Sequence, residues 1–204
     1  MRIITGKYKG RHFDIPRSFK ARPTTDFAKE NIFNVLIQYV DLDGASALDL
    51  FSGTGSISME LLSRGCQQVV SVELDRDHHR FIQECLKKLL SPSSSLLPSP
   101  TCLPIRGDVF RFLKSCRQQF DLIFADPPYA LKELPTLPNL IFSKGLLKED
   151  GIFILEHGKD YDFSQHPHFS EHRHYGSVNF SIFTAAEKTG ASDSPTNEPG
   201  SEDE

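Results

Sequence analysis

Two short runs, 121–125 (Asp-Leu-Ile-Phe-Ala) and 152–156 (Ile-Phe-Ile-Leu-Glu), are apolar almost without interruption. A strand with one face in water alternates apolar and polar residues, so a short run without alternation reads as a strand covered on both faces. Sheets of that kind need helices above and below, and the rest of the chain supplies them. Segments 45–50, 69–73 and 103–106 read as further buried strands, and 56–63, 76–90 and 109–116 as the helices between them. The second helix carries its apolar stripe on Ile82, Cys85, Leu86 and Leu89, and Gly65 is placed to end the first. Segments 171–175 and 178–184 read as a hairpin turning at Gly176. The expected fold is α/β, a doubly wound, mostly parallel sheet whose last hairpin adds an antiparallel edge.

The 204 residues suffice for one cored domain with extensions. Charge divides them. Residues 1–40 carry eight basic side chains against three acidic ones, whereas residues 187–204 carry six acidic groups and only Lys188. The front end, a basic hairpin around Lys7-Tyr8-Lys9-Gly10 plus a helix over 25–40, suits a polyanion and is expected to pack on the sheet domain. The sheet domain spans 41–186. The tail from 187 has no large apolar residue and is expected to be disordered, and the Ser/Pro-rich stretch 91–101 reads as an inserted surface loop.

No apolar run approaches the ~20 residues a membrane span needs, and Gly6 and Lys7 interrupt any secretory pattern at the start. A cytoplasmic protein is expected. Cys66, Cys85, Cys102 and Cys116 form no C-x-x-C pair and read as reduced, mostly buried thiols. His157, His166, His168, His172 and His174 include two H-x-H steps, but solvated loop histidines are the reading, and no metal site is expected.

Three constellations carry chemistry. In Leu48-Asp49-Leu50-Phe51-Ser52-Gly53-Thr54-Gly55 an acid ends a strand and a glycine turn opens a helix, at the edge where open α/β sheets bind ligands. The third glycine of a dinucleotide fingerprint is replaced by Ser58, and Asp49 would repel a pyrophosphate, so a cationic ligand is favoured. Glu73 and Asp108 end the next two strands; the first suits a pair of ribose hydroxyls and the second an exocyclic adenine amine. In Asp126-Pro127-Pro128-Tyr129 two prolines fix the backbone and remove two donors, leaving rigid acceptors suited to a planar amino group, with Tyr129 as a stacking face.

The series D-x-F-S-G-T-G, an acid on the next strand, and D-P-P-Y after the fourth resembles Rossmann-like class I S-adenosylmethionine-dependent methyltransferases acting on exocyclic amino nitrogens. The opening Met1-Arg2-Ile3-Ile4-Thr5-Gly6-Lys7-Tyr8-Lys9-Gly10-Arg11, with Arg22-Pro23-Thr24-Thr25-Asp26, Ile32-Phe33-Asn34-Val35-Leu36 and Glu156-His157, narrows the likeness to the bacterial RsmD family. That family methylates N2 of a guanine in 16S ribosomal RNA. The resemblance covers about residues 1–185 and implies a seven-stranded sheet, with S-adenosylmethionine as cofactor. It implies cofactor contacts at Asp49, Phe51, Ser52, Gly53, Gly55, Glu73, Leu74, Asp108 and Val109, and catalysis at Asp126 and Pro127 with Tyr129 against the base. Phosphates would be held by Lys7, Lys9, Arg11, Arg17, Lys20 and Arg22, on 16S rRNA, the small ribosomal subunit or an assembly intermediate, by a monomer.

Three other readings share parts of this pattern. DNA or RNA adenine-N6 methyltransferases share D-P-P-Y, but no ~80-residue segment remains for the separate recognition domain usual in sequence-specific DNA enzymes. Protein glutamine methyltransferases usually have Asn where Asp126 stands. A non-catalytic RNA-binding module on the same fold would not require the intact acids.

Overall fold

The computed structural model describes residues 1–19, 26–90 and 99–186. Lys20, Arg22, most of the Ser/Pro-rich stretch and the acidic tail lie outside the described residues. Helix α1 (Asp26–Leu36) precedes β1 (Ser46–Leu50), α2 (Ser56–Ser63), β2 (Gln68–Glu73), α3 (Arg76–Leu89), β3 (Thr101–Arg106), α4 (Val109–Ser115) and β4 (Phe120–Ala125). A single 3-10 turn, Leu134–Thr136, leads into α5 (Leu137–Ser143), and β5 (Leu147–His157), β6 (Phe169–Tyr175) and β7 (Val178–Thr184) complete the chain.

Among the described residues seven strands form one sheet in the order β3-β2-β1-β4-β5-β7-β6. The first five are parallel; β7 runs antiparallel to β5 and β6, which gives the expected antiparallel edge. All five residues of β1 are buried, and so are Leu122 to Ala125 and Ile152 to Leu155, as two-sided coverage requires. One core cluster lies between the sheet and α1, α2 and α3, the other between the sheet and α4 and α5.

Some boundaries differ from the sequence reading. Helix α5 carries Pro135 and Pro138 in its approach and first turn, which masks its periodicity. Strand β5 begins five residues early, because a register shift between Phe120 and Leu122 lets Leu147 pair ahead of the apolar run. Helix α1 stops at Leu36 rather than Val40; Tyr39 lies past its end, where its hydroxyl donates to Glu171 at 2.7 Å. The late histidines divide: His172 and His174 are exposed but lie on β6, and His166 and His168 are half-buried in the turn before it. His157 is fully buried in β5 against Ser181, and His168 stacks flat on Phe142 at 3.9 Å. All four cysteines are free, and burial pushes the Cys66 thiol up to about 12.

The amino-terminal segment is part of the core. Ile3 and Phe13 join the cluster formed by Ile32, Phe33 and Leu36, and Arg2 and His12 pair as an antiparallel bridge. Gly6 sits so close to α2 that a Cβ there would lie 1.8 Å from the Ser63 carbonyl oxygen, so no other residue fits this approach. A polar node holds the segment in place. Glu60 of α2 accepts from the amides of Ile4 (2.8 Å) and Thr5 (3.0 Å) and from Arg64 Nε (2.9 Å). Lys29 Nζ, 3.7 Å from Glu60, donates to the Arg2 carbonyl (2.7 Å) and to Ser56 Oγ (2.9 Å). Burial pulls the Lys29 ammonium below its ordinary value, and the Glu60 charge opposes that pull.

Removing one partner of a buried ion pair leaves the other uncompensated, at about 3–5 kcal/mol. Glu60→Ala should therefore lower the urea unfolding free energy by about 3–5 kcal/mol and speed hydrogen exchange at the Ile4 and Thr5 amides. A loss below about 1 kcal/mol, the range of a surface pair, would show that the node does not hold the segment.

Candidate active site

The carboxyl ends of β1 through β5 open on one side of the sheet, and a cavity of about 1010 Å³ lies there. It is lined by Asp49, Phe51, Ser52, Gly53, Glu73, Leu74, Asp108, Val109, Asp126, Pro127 and Tyr129, which come from four different strand ends. Of the expected cofactor residues only Gly55 is absent from the wall. It is the N-cap of α2 at φ 74°, and a Cβ on it would meet Ile82 at 2.9 Å, so it shapes the turn from beneath.

The loop after β1 is fixed by its neighbours. The Asp49 carboxylate accepts from the Ser58 amide (3.0 Å) and the Ser58 hydroxyl, tying the end of β1 to the first turns of α2. Ser52 Oγ donates to the Asp49 carbonyl (2.8 Å) and Ser71 Oγ donates to Ser52 Oγ, while Glu73 accepts from the Gly53 amide at 2.7 Å. Phe51 takes φ 60°, the one left-handed non-glycine residue among those described, in the sparsely populated backbone region that clusters at ligand sites. Its ring meets Phe110 edge-on across the loop.

The three acids expected to hold a ligand are also structural. Glu73 takes the Gly53 amide on one oxygen and the Asp75 amide on the other, both at 2.7 Å, and each oxygen retains a second lone pair. Asp108 is the N-cap of α4 and accepts from the Arg111 amide at 2.8 Å. Asp49 is fully buried. Burial first, then the charges of Asp126 and Glu73, push its carboxyl up to about 7 against the lowering effect of Ser58. Carboxylates therefore dominate the wall, a setting that attracts a cation and repels phosphate.

At the end of β4 the Asp126 amide donates to the Leu50 carbonyl at 3.3 Å, so the D-P-P-Y turn grows out beside the loop after β1. Pro127 is buried, whereas Tyr129 is 41% exposed. The Tyr129 hydroxyl donates to Glu156 Oε1 at 2.8 Å, its carbonyl accepts from Tyr161, and its ring lies over Gly158. Glu156, Phe110, Glu133 and Val178 line the same cavity and were not assigned from the residues alone. For Glu156 a signal existed, since it is an acid ending a buried strand, as Glu73 is.

The basic hairpin is not brought to this cavity. Lys7 donates its amide to Ser63 and Arg11 its guanidinium to the Lys88 carbonyl, at the far ends of α2 and α3. The 14 residues of α3 make it about 20 Å long, with Arg76 and His78 at its cavity end and Lys88 at the other. Phe19, two residues beyond Arg17, packs on His78 of the cavity wall. Among the described residues no group of three or more His, Cys, Asp or Glu side chains is arranged to hold a metal ion. No helix among them is long and apolar enough to cross a membrane.

Comparison with known proteins supports one family. The model of the family described as conserved hypothetical protein 95 matches residues 1–184. The Bacillus subtilis (strain 168) protein named "Putative rRNA methyltransferase YlbH" is 34% identical over 168 residues, 81% of this chain and 86% of that protein. The "Ribosomal RNA small subunit methyltransferase D" of Haemophilus influenzae is 32% identical over 162 residues, covering 78% of this chain and 80% of the other. The solved structure of a hypothetical protein from Thermus thermophilus, TTHA0928, superposes with a TM-score of 0.74 at 26% identity, over 90% of this chain and 98% of that one. With its model running through the amino-terminal segment and the whole sheet, the chain belongs to this family, the RsmD family.

Proposed function

We propose that this protein moves a methyl group from S-adenosylmethionine to the exocyclic N2 of a guanine in 16S ribosomal RNA. The observation that carries the reading is that the Asp49–Gly53 loop and the Asp126–Tyr129 turn, on adjacent strands, line one cavity. The names of the relatives point the same way, since they are described as rRNA and small-subunit methyltransferases. The wall also fits the cofactor chemically: buried carboxylates suit its cationic amine and sulfonium, Glu73 and Asp108 retain acceptor capacity for hydroxyls and an amine, and about 1010 Å³ is ample for a ligand of that size.

When bound, the cofactor supplies an electrophilic methyl group on a sulfonium. The protein's part is orientation and charge. The lone pair of a guanine amino group is delocalised into the ring, which makes it a poor nucleophile. Asp126 and the Pro127 carbonyl accept its two hydrogens, aim the nitrogen at the methyl group, and stabilise the positive charge that grows on it. Asp126 is then the acceptor nearest the proton that leaves. Tyr129, pinned through Glu156, supplies the face on which the extruded base lies. The remote hairpin holds phosphates of the same RNA, a reach that only a large substrate makes useful.

Asp126→Ala should cut methyl transfer by on the order of 10³-fold and leave cofactor affinity within a few-fold, measured with undermethylated 30S subunits and by calorimetry. Loss of cofactor binding instead would reassign Asp126. The product nucleoside should be N2-methylguanosine by mass spectrometry, and N6-methyladenosine would replace the guanine reading with the adenine one. Charge reversal at Lys7, Lys9 and Arg11 should weaken RNA binding and flatten its salt dependence without altering cofactor affinity; an unchanged salt slope removes the hairpin from the account.

Asp49 gives a pH signature. An acid whose folded-state pKa is raised favours the folded state when protonated, so its contribution is fully present below its unfolded value of 3.8 and lost as pH rises towards about 7. Asp49→Asn removes that loss. Melting temperatures of the variant should fall less than those of the native chain between pH 4 and 7, and the cofactor should raise the native chain's melting temperature more. Parallel curves would show that burial does not raise the Asp49 carboxyl above its unfolded value.

A further inference from the structure

We infer that Glu156 accepts the N1–H of the target guanine and thereby separates guanine from purines that carry the same amine without that proton. This rests on the guanine reading above and adds the residue that enforces it. Ala125 pairs with Leu155 on adjacent parallel strands, which run about 4.8 Å apart, so Asp126 leaves the end of β4 beside Glu156 of β5. Both line the cavity, and Glu156 is 4% exposed, so water screens its charge little. The Tyr129 hydroxyl donates to Glu156 Oε1, so the phenol end of the proposed stacking ring points at this carboxylate. A carboxylate offers about four acceptor positions, and Tyr129 uses one.

Guanine carries two kinds of donor side by side on one edge, the N1–H and the N2 amine. Two acceptors on neighbouring strands match that edge: Asp126 takes an amine hydrogen and Glu156 takes N1–H. Adenine and 2-aminopurine present an N1 lone pair there instead, which would face the carboxylate as acceptor against acceptor. A site built for a substrate N–H rejects an analogue lacking it far more strongly than it rejects a change of size.

2-Aminopurine keeps the 2-amine that receives the methyl group and lacks the N1 proton, which makes it the discriminating probe. The modified guanine is first mapped by mass spectrometry. That position is then filled with guanosine or 2-aminopurine, in whichever form, naked RNA or assembled subunit, the native protein methylates. The native protein should favour guanosine in kcat/KM by on the order of 10²-fold. In Glu156→Gln the amide oxygen still accepts from Tyr129 while its NH2 donates to an N1 lone pair, so the preference should collapse to a few-fold with an absolute gain on 2-aminopurine. Tyr129→Phe breaks the link to Glu156 and should lower both substrates alike, keeping the preference. If Glu156 only holds Tyr129 in place, Glu156→Gln lowers both substrates by one factor, and that outcome overturns the inference. A native preference near unity overturns it whether or not the variant folds. If the mapping finds no modified guanine, the guanine reading itself is overturned, and this inference with it.

Discussion

The pairing of β1 with β4 is the constraint from which the site follows. The chain lays down β1, β2 and β3 towards one side of the sheet, then returns to place β4 on the other flank of β1. The connections leaving β1 and β4 therefore diverge, and a crevice must open between them at the carboxyl edge. Everything the proposed chemistry requires stands on that crevice: Asp49 and Gly53 from one side, Asp126 and Tyr129 from the other, with the Asp126 amide bonded to Leu50 as the stitch between them.

A wall of carboxylates is costly for the protein alone. Asp126 and Glu73 repel the fully buried Asp49, yet Asp49 and Glu73 also tie backbone. Glu73 stitches the glycine loop to the end of β2, Asp49 clamps Ser58, and Asp108 caps α4. The same groups that would meet a ligand thus hold the frame that presents them. This explains why acids at strand ends can be both structural and functional without a change of geometry.

How much of this could be read from the sequence follows from the physics of each signal. Strands β4 and β5 announced themselves because burial on two faces leaves an unbroken apolar run, and α3 because burial on one helical face leaves a periodic stripe. Motif residues fell on the cavity wall because strand ends in an open sheet converge there whatever the details. Helix α5 was hidden, since prolines in its approach and first turn resemble a breaker. Glu156 was legible as an acid ending a buried strand and as part of the Glu156-His157 resemblance, but its link to Tyr129 joins residues 27 apart through a hydroxyl that no local pattern encodes. The node of Lys29 and Glu60 was equally invisible: a lysine and a glutamate on amphipathic helices ordinarily face water, and only the close passage of residues 2–5 makes them a buried pair.

That node has a consequence for how the molecule is made. Ile4 and Thr5 emerge from the ribosome more than fifty residues before Glu60, the group that receives their amides. Until α2 has been synthesised those two amides have no acceptor in place, although Ile3 and Phe13 can already meet Ile32 and Phe33 of α1. Two amides translated early thus depend on a helix made later, the same helix whose opening turn Asp49 clamps beside the cavity.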